Sequence, residues 1–143
     1  MIYVALDGDD IGNDIRRYFL ENDEENIATK SKEVVAVAER IRNYLNDLNF
    51  EIIFCAGDDI LSKGELINIE EFSNFLMRLE GTCTFSVGIG NTLERTYIAL
   101  RYAKSIGKNK IVMYNLRDRL EIFNPKSDLR TNFSHSSSST YKL

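Results

Sequence analysis

The stretch FEIIFCAGDDILSKGE, residues 50–65, confines the fold of this chain more than any other. Its two apolar, β-prone runs are separated only by Gly57, Asp58 and Asp59. A connection this short makes the strands neighbours and antiparallel. A second run, Ile2 to Leu6, also reads as a buried strand and ends in DGDD. Taken singly, each acidic end is a turn, because Asp and Gly are the residues turns favour. Whether the two ends meet depends on the rest of the chain.

From Ile11 to Leu20 the pattern is helical, with Ile11, Ile15 and Tyr18/Phe19 on one side. ENDEENIATKSKE is polar and mixed in charge, a loose joint or a solvated helix face. A long amphipathic helix then runs to about Leu48, its stripe of Val34, Val37, Ile41, Tyr44, Leu45 and Leu48 spaced for a core. Ile69 to Leu79 reads as another helix and TCTFSVGI as a strand. Asn91 is the expected cap of the next helix, with Glu94 at its third position and Gly107 at its end. KIVMY is a short final strand. From about Asn115, and above all in SHSSSST, the composition is that of a solvated or flexible segment. The division is therefore one domain over residues 1–114 and a tail over 115–143.

The order β, α(α), β, β, α, β, α, β contains the split pattern of an α+β, ferredoxin-like fold. That fold is a βαββαβ core, an antiparallel sheet with helices on one face, here extended by a C-terminal helix and strand. In it the first strand lies between the one that follows GDD and the one written TCTFSVGI, antiparallel to both. Asp7, at the end of the first strand, then stands beside Asp58 and Asp59. Two independent turns do not predict that meeting.

Carboxylates packed this closely repel one another unless a cation neutralises them or some take up protons. Oxygen ligands of this kind suit Mg²⁺ or Mn²⁺. Asp7, Asp58 and Asp59 are the expected metal ligands and catalytic residues, with the Gly8 carbonyl as an extra ligand. Asp9 and Asp10 are weaker candidates, which could equally cap or polarise the helix that starts near Ile11.

The rest of the composition narrows the chemistry. The only histidine is His135, in the serine-rich stretch, which disfavours Ser-His-Asp, Cys-His and histidine–zinc chemistry. Cys55 and Cys83 form no CxxC pair and read as buried free thiols. A formal net charge of -4 argues against a general nucleic-acid binder, and so against a nucleic-acid template. No apolar run approaches the ~20 residues of a membrane span and no signal-peptide pattern opens the chain. The expectation is a cytoplasmic protein with no direct membrane insertion.

GIG, after a strand and before a helix, is a weak phosphate-loop signal without the third glycine of GxGxxG. It also falls at the other end of the sheet, so its glycines read as turn and close-packing residues. The helix that follows runs back and returns Lys104 and Lys108 to the carboxylate end. If the last turn stays helical, the two lie on nearly one face. The dipole alone would account for one of them. At the other side of the site, Gly8, Asp9, Asp10 and Ile11 let a phosphate approach the unpaired N–H groups of the first helix. Carboxylates, lysines and a helix N-terminus suit nucleotidyl transfer by two metal ions per active site.

YVALDGDDIG, AGDDIL and TFSVGIG…YIALRYAKSIGKNKI, in this order, resemble the palm domain shared by GGDEF diguanylate cyclases and the CRISPR type III polymerase/cyclase subunits. In its small size the chain is most similar to the stand-alone minimal CRISPR polymerase (mCpol) group, over about residues 1–114. The resemblance implies that Asp7 and the Gly8 carbonyl hold the first metal, that Asp58 and Asp59 form the acidic end of the hairpin, and that Lys104 and Lys108 bind phosphate. Ala56 replaces the hairpin's first glycine and leaves these ligands intact. Ile15 stands where diguanylate cyclases place a guanine-reading Asn, so the implied substrate is ATP rather than GTP. The implied product is a cyclic dinucleotide second messenger in antiphage signalling, read by a cyclic-nucleotide-binding membrane effector.

A single palm presents one catalytic face, so a homodimer is the economical way to hold two nucleotides head to tail. Asn13, Asp14, Arg17 and Tyr18 either line a base pocket on the first helix or merely solvate it. The rival reading is a catalytically degenerate palm that acts as a nucleotide-binding sensor or interaction module.

Overall fold

Ile2, Val4 and Leu6 alternate with Tyr3, Ala5 and Asp7, and this two-residue period makes β1 (Ile2–Gly8) a strand with one face in the core. The fold around it was obtained as a computed structural model, which describes residues 1–79, 81, 83–124 and 140–141. β1 is followed by α1 (Ile11–Leu20), α2 (Glu24–Asp47), β2 (Glu51–Ala56), β3 (Asp59–Gly64), β4 (Ile67–Asn68), α3 (Ile69–Met77), β5 (Phe85–Gly90), α4 (Leu93–Ser105), β6 (Ile111–Tyr114), β7 (Leu120–Phe123) and β8 (Thr140–Tyr141). The fold is mixed α+β, with a six-stranded sheet in the order β2-β3-β1-β5-β6-β7. β1 is antiparallel to both β3 and β5, as the split pattern requires, while β5 and β6 are parallel. β4 and β8 form a separate two-stranded pair.

One face of the sheet carries Ile2, Val4, Leu6, Ile60, Val87, Ile89, Ile111 and Met113. α2 covers it with Val37, Ala38, Ile41 and Leu45, and α3 with Ile69 and Phe72. Full burial of each such aliphatic side chain is worth about 1.5–3 kcal/mol, which outweighs the weak intrinsic preference of so β-branched a helix. Tyr44 stacks on Phe75 with ring centroids 3.9 Å apart and ties α2 to α3. α4, the extra helix, lies on the opposite face, where Ala99 and Ala103 pack on Val112. It can sit there because Gly88 has no side chain: a Cβ would lie 2.4 Å from the backbone N of Leu100 and O of Thr96. The close-packing reading of the GIG glycines thus holds, but both lie within β5 and neither makes a turn.

Several expectations are corrected in detail. Of the two readings of the polar stretch after Leu20, the solvated helix face holds: α2 starts at Glu24, where the Asp23 carboxylate accepts from the Asn26 N–H and caps it. Thr92, not Asn91, caps α4: its hydroxyl accepts from the Arg95 N–H, which leaves Glu94 one position earlier in the helix than expected. Gly107, at φ 115°, ends α4 as expected, but the Lys108 N–H closes on the Ala103 carbonyl, so Lys108 lies beyond the helix and shares no helical face with Lys104. Cys55 is exposed rather than buried, because β2 is an edge strand, and Cys83 is half-buried. After Asn115 the chain does not leave the sheet at once. Asn115 Oδ1 accepts from the N–H groups of Arg117 and Arg119, and the turn so formed returns β7 antiparallel onto β6. Residues 125–139 and 142–143, including His135, lie outside the described residues. Among the described residues no helix is long and apolar enough to cross a membrane.

Candidate active site

β1 ends where two neighbouring strands deliver polar groups. Its pairing places Leu6 opposite Ile60 on β3, Asp7 opposite Ser86 and Gly8 opposite Phe85 on β5. The β2–β3 turn, Gly57–Asp58, therefore hangs over the end of β1. It can do so because residue 8 is glycine: a Cβ there would lie 2.8 Å from Asp58 Oδ2. Asp7, Asp58 and Asp59 are thus brought together, as expected. Burial pushes the Asp58 pKa up, and the Asp7 carboxylate beside it pushes it further. Asp59 is raised by burial and then by the charges of Asp7 and Asp58. In both cases Lys104 opposes the rise.

Lys104 reaches this end from the last turn of α4. Its Nζ lies 3.0 Å from Asp7 Oδ2, 2.9 Å from Asp9 Oδ1 and 2.8 Å from the Gly8 carbonyl oxygen. Burial lowers its pKa, but the hydrogen bonds and charges of Asp9 and Asp7 more than reverse this, so the ammonium stays charged.

Asp9 is the most enclosed carboxylate of the site, at 4 % exposure. It accepts from the Thr84 and Ser86 hydroxyls, each at 2.7 Å, from Lys104 and from the Asn109 N–H at 2.9 Å. Burial would raise its pKa, yet these donors together hold it below the ordinary carboxylate value. Its own N–H donates to the Thr84 carbonyl at 2.8 Å, so that group is already used. Asp9 therefore locks the end of β1 to β5 and to the turn after α4, rather than capping α1.

Asp10 begins α1 in a left-handed conformation, with φ 61°, and makes no side-chain cap. Its carboxylate pairs instead with the Lys108 ammonium, which holds the Asp10 pKa below the ordinary value. Lys108 thus arrives at the same end as Lys104, although from the turn rather than from a shared helical face. The first-turn N–H groups of α1, beginning at Ile11, are the orphan donors of a helix start.

The base-pocket candidates on α1 engage one another or α2. Asp14 Oδ2 lies 2.9 Å from the buried Lys30 Nζ, Asn13 bridges Asp10 and Arg16, and Arg17 lies over the Tyr18 ring at 5.0 Å. Sequence reasoning missed Thr84, Ser86 and Asn109. Alternation along TFS was the available signal for the first two, because Thr84 and Ser86 point to one side of the strand beside β1.

The donor chemistry fits a hard cation: three carboxylates and a carbonyl, all oxygen, with two of the carboxylates raised by burial and by the carboxylates beside them. Among the described residues no three carboxylates already stand in the geometry of a metal cage. Lys104 draws Asp7 to itself, which accounts for part of this.

No curated protein matches this chain significantly. A family model described as the minimal CRISPR polymerase domain, mCpol, matches residues 3–114, a span that holds every residue named at the site. The chain therefore belongs to the mCpol family, whose description points to a CRISPR-associated activity of the polymerase or cyclase kind, within the broader nucleotidyltransferase theme.

Proposed function

We propose that this protein is a metal-dependent nucleotidyltransferase that joins nucleoside triphosphates, ATP foremost, into a cyclic dinucleotide for antiphage signalling. The observation that supports it best is the meeting of Asp7, Asp58 and Asp59 with Lys104 at one sheet end. In this reading the three carboxylates and the Gly8 carbonyl hold two Mg²⁺ or Mn²⁺. The bound ions supply a lowered pKa for the attacking ribose hydroxyl and neutralise the leaving pyrophosphate.

The two lysines divide their work. Lys104 is committed to Asp7, Gly8 and Asp9 and fixes the backbone that carries the first ligand. Lys108 is more exposed and its partner Asp10 is solvated, so a phosphate can displace that pairing at little cost. The orphan N–H groups at the start of α1 receive another phosphate oxygen. A ribose hydroxyl of one nucleotide loses its proton to solvent and forms a bond to the α-phosphorus of the other, the bond from that phosphorus to the bridging oxygen breaks, and pyrophosphate leaves. A second copy of the chain supplies the face needed to repeat the step and close the ring. A membrane effector that binds the cyclic product completes the signalling role.

The test is to incubate the protein with each NTP and Mg²⁺ or Mn²⁺ and identify products by chromatography and mass spectrometry, with Asp58→Ala/Asp59→Ala as control. A cyclic dinucleotide from ATP, absent with the double variant, is the expected result. Tight metal-dependent ATP binding without turnover would instead mark a sensor. Neither binding nor turnover would return both acidic clusters to being turns.

A further inference from the structure

α4 covers only part of its face of the sheet. Cross-strand pairing sets Gly88, Ala5, Leu61 and Phe54 in one row across β5, β1, β3 and β2. The helix lies on Gly88, and the rest of the row is left as the floor of a cleft of about 400 Å³. Leu93, Thr96, Tyr97 and Leu100 of α4 form its wall, and Asp59 is its single charged lining residue. The apolar groups around it are unusually open: Phe54 is 48 % exposed, Leu93 53 % and Tyr97 63 %.

The cleft leads into the active site. Asp7 and Asp59 lie two residues beyond Ala5 and Leu61 on their strands, so they point to the same face. Along α4, Leu93, Tyr97, Leu100 and Lys104 follow one another at helical spacings of four, three and four, a stripe that ends in the site's ammonium. The groove is therefore apolar and aromatic along its length and ionic at one end. A wholly apolar ligand leaves that end unexplained. A flat heterocycle joined to a sugar and phosphates matches it, with Phe54 and Tyr97 as stacking faces, and the volume falls in the range of small-molecule sites. The polar groups of α1 first considered for the base are occupied by Asp10, Arg16, Lys30 and one another.

We propose that this cleft, and not α1, receives the purine ring of a nucleotide whose sugar and phosphates lie at the acidic end, beside Asp7 and Asp59. The assignment rests on the nucleotidyl-transfer reading for what happens at the ionic end, while the cleft's preference for an aromatic heterocycle stands on its own lining.

Adenosine, which carries no phosphate and needs no metal, is the probe. Its titration into ¹³C-methyl-labelled protein should shift the methyl signals of Leu61, Leu93 and Leu100. Tyr97→Ala and Phe54→Ala should each weaken adenosine binding roughly tenfold, within the ~1–3 kcal/mol of base–aromatic stacking, while Tyr97→Phe retains it. Because both side chains are exposed, the thermal midpoints should not move. Shifts confined to Asn13–Tyr18, no shift at millimolar adenosine, or cleft signals that move with protein concentration instead of ligand would overturn the assignment. ATP turnover in the same preparations separates the two ideas. Turnover with KM unchanged in both alanine variants sinks the cleft and leaves the enzyme. Adenosine seated in the cleft of a protein that makes no product upholds the cleft and removes the enzyme.

Discussion

Replacing Lys104 by Met keeps the length of the side chain and removes the charge on which the site is organised. The ammonium has three N–H donors but faces four oxygens, those of Asp7 Oδ2, Asp9 Oδ1 and the carbonyls of Asp7 and Gly8. Breaking a buried ion pair by removing one partner costs about 3–5 kcal/mol when the other charge is left without compensation. Here compensation is partial. Asp9 keeps Thr84, Ser86 and Asn109, and Asp7, at 33 % side-chain exposure, can hydrate. The loss should therefore fall to about 2–3 kcal/mol, or roughly 5–10 °C in the thermal midpoint for a domain of this size. Urea unfolding followed by far-UV circular dichroism measures it, with the slope of the transition unchanged. Lys104→Arg should rescue little, because a planar guanidinium cannot point its donors at oxygens converging on one atom. Added Mg²⁺ should stabilise Lys104→Met more than the parent, since a divalent ion then relieves crowding that Lys104 had partly relieved. A Met variant within about 0.5 kcal/mol of the parent, or full rescue by Arg, would refute this account of the lysine.

The site carboxylates should show opposite pH signatures. Asp9, depressed below its ordinary value of 3.8, contributes stability that is present above that value and lost as pH falls through the lower folded one. Asp9→Asn should therefore be less stable than the parent at pH 7, with the gap closing below about pH 4 in acid-titrated denaturation curves. Asp58 and Asp59 are raised, so their ionisation costs stability above the folded values, and that cost fades as pH falls towards the ordinary 3.8. In metal-free buffer at pH 7, Asp58→Asn should melt no lower than the parent while losing the gain that Mg²⁺ gives, which calorimetry can read. Gly88→Ala drives a Cβ into the α4 backbone and should cost at least ~1–3 kcal/mol by urea unfolding, a test of the close helix–sheet contact.

What was legible in the sequence was the topology. A connection of GDD can only be a hairpin, and once the strand order is granted, Asp7 must stand beside Asp58 and Asp59. The direction of α4 followed too, because a helix after β5 has to run back along the sheet, and so Lys104 and Lys108 arrive where they were expected. Roles were harder to read than positions. Nothing in DGDD separates Asp9 from its neighbours; its partners are hydroxyls on β5 and just before it and an N–H from the turn after α4, all at least 75 positions away. Gly107 marks the end of α4 as expected, and the turn that closes the Lys108 N–H on Ala103 takes that lysine off the helical face it would otherwise share with Lys104. β7 went unseen because its strand character comes from pairing with β6 and from the Asn115 turn, not from its own short polar-apolar run. The cleft beside α4 was invisible for a similar reason. It is defined by where the helix stops covering the sheet, and no residue pattern states that.

The central claim is that Asp7, Asp58 and Asp59 hold divalent ions around a nucleoside triphosphate. Its most direct test is an electron paramagnetic resonance titration of Mn²⁺ in the presence of a non-hydrolysable ATP analogue, comparing the parent with Asp58→Asn/Asp59→Asn. The account predicts two ions bound per chain, close enough for their signals to couple, and loss of both the coupling and most of the binding in the double variant. Mn²⁺ binding that is the same in parent and variant would contradict it.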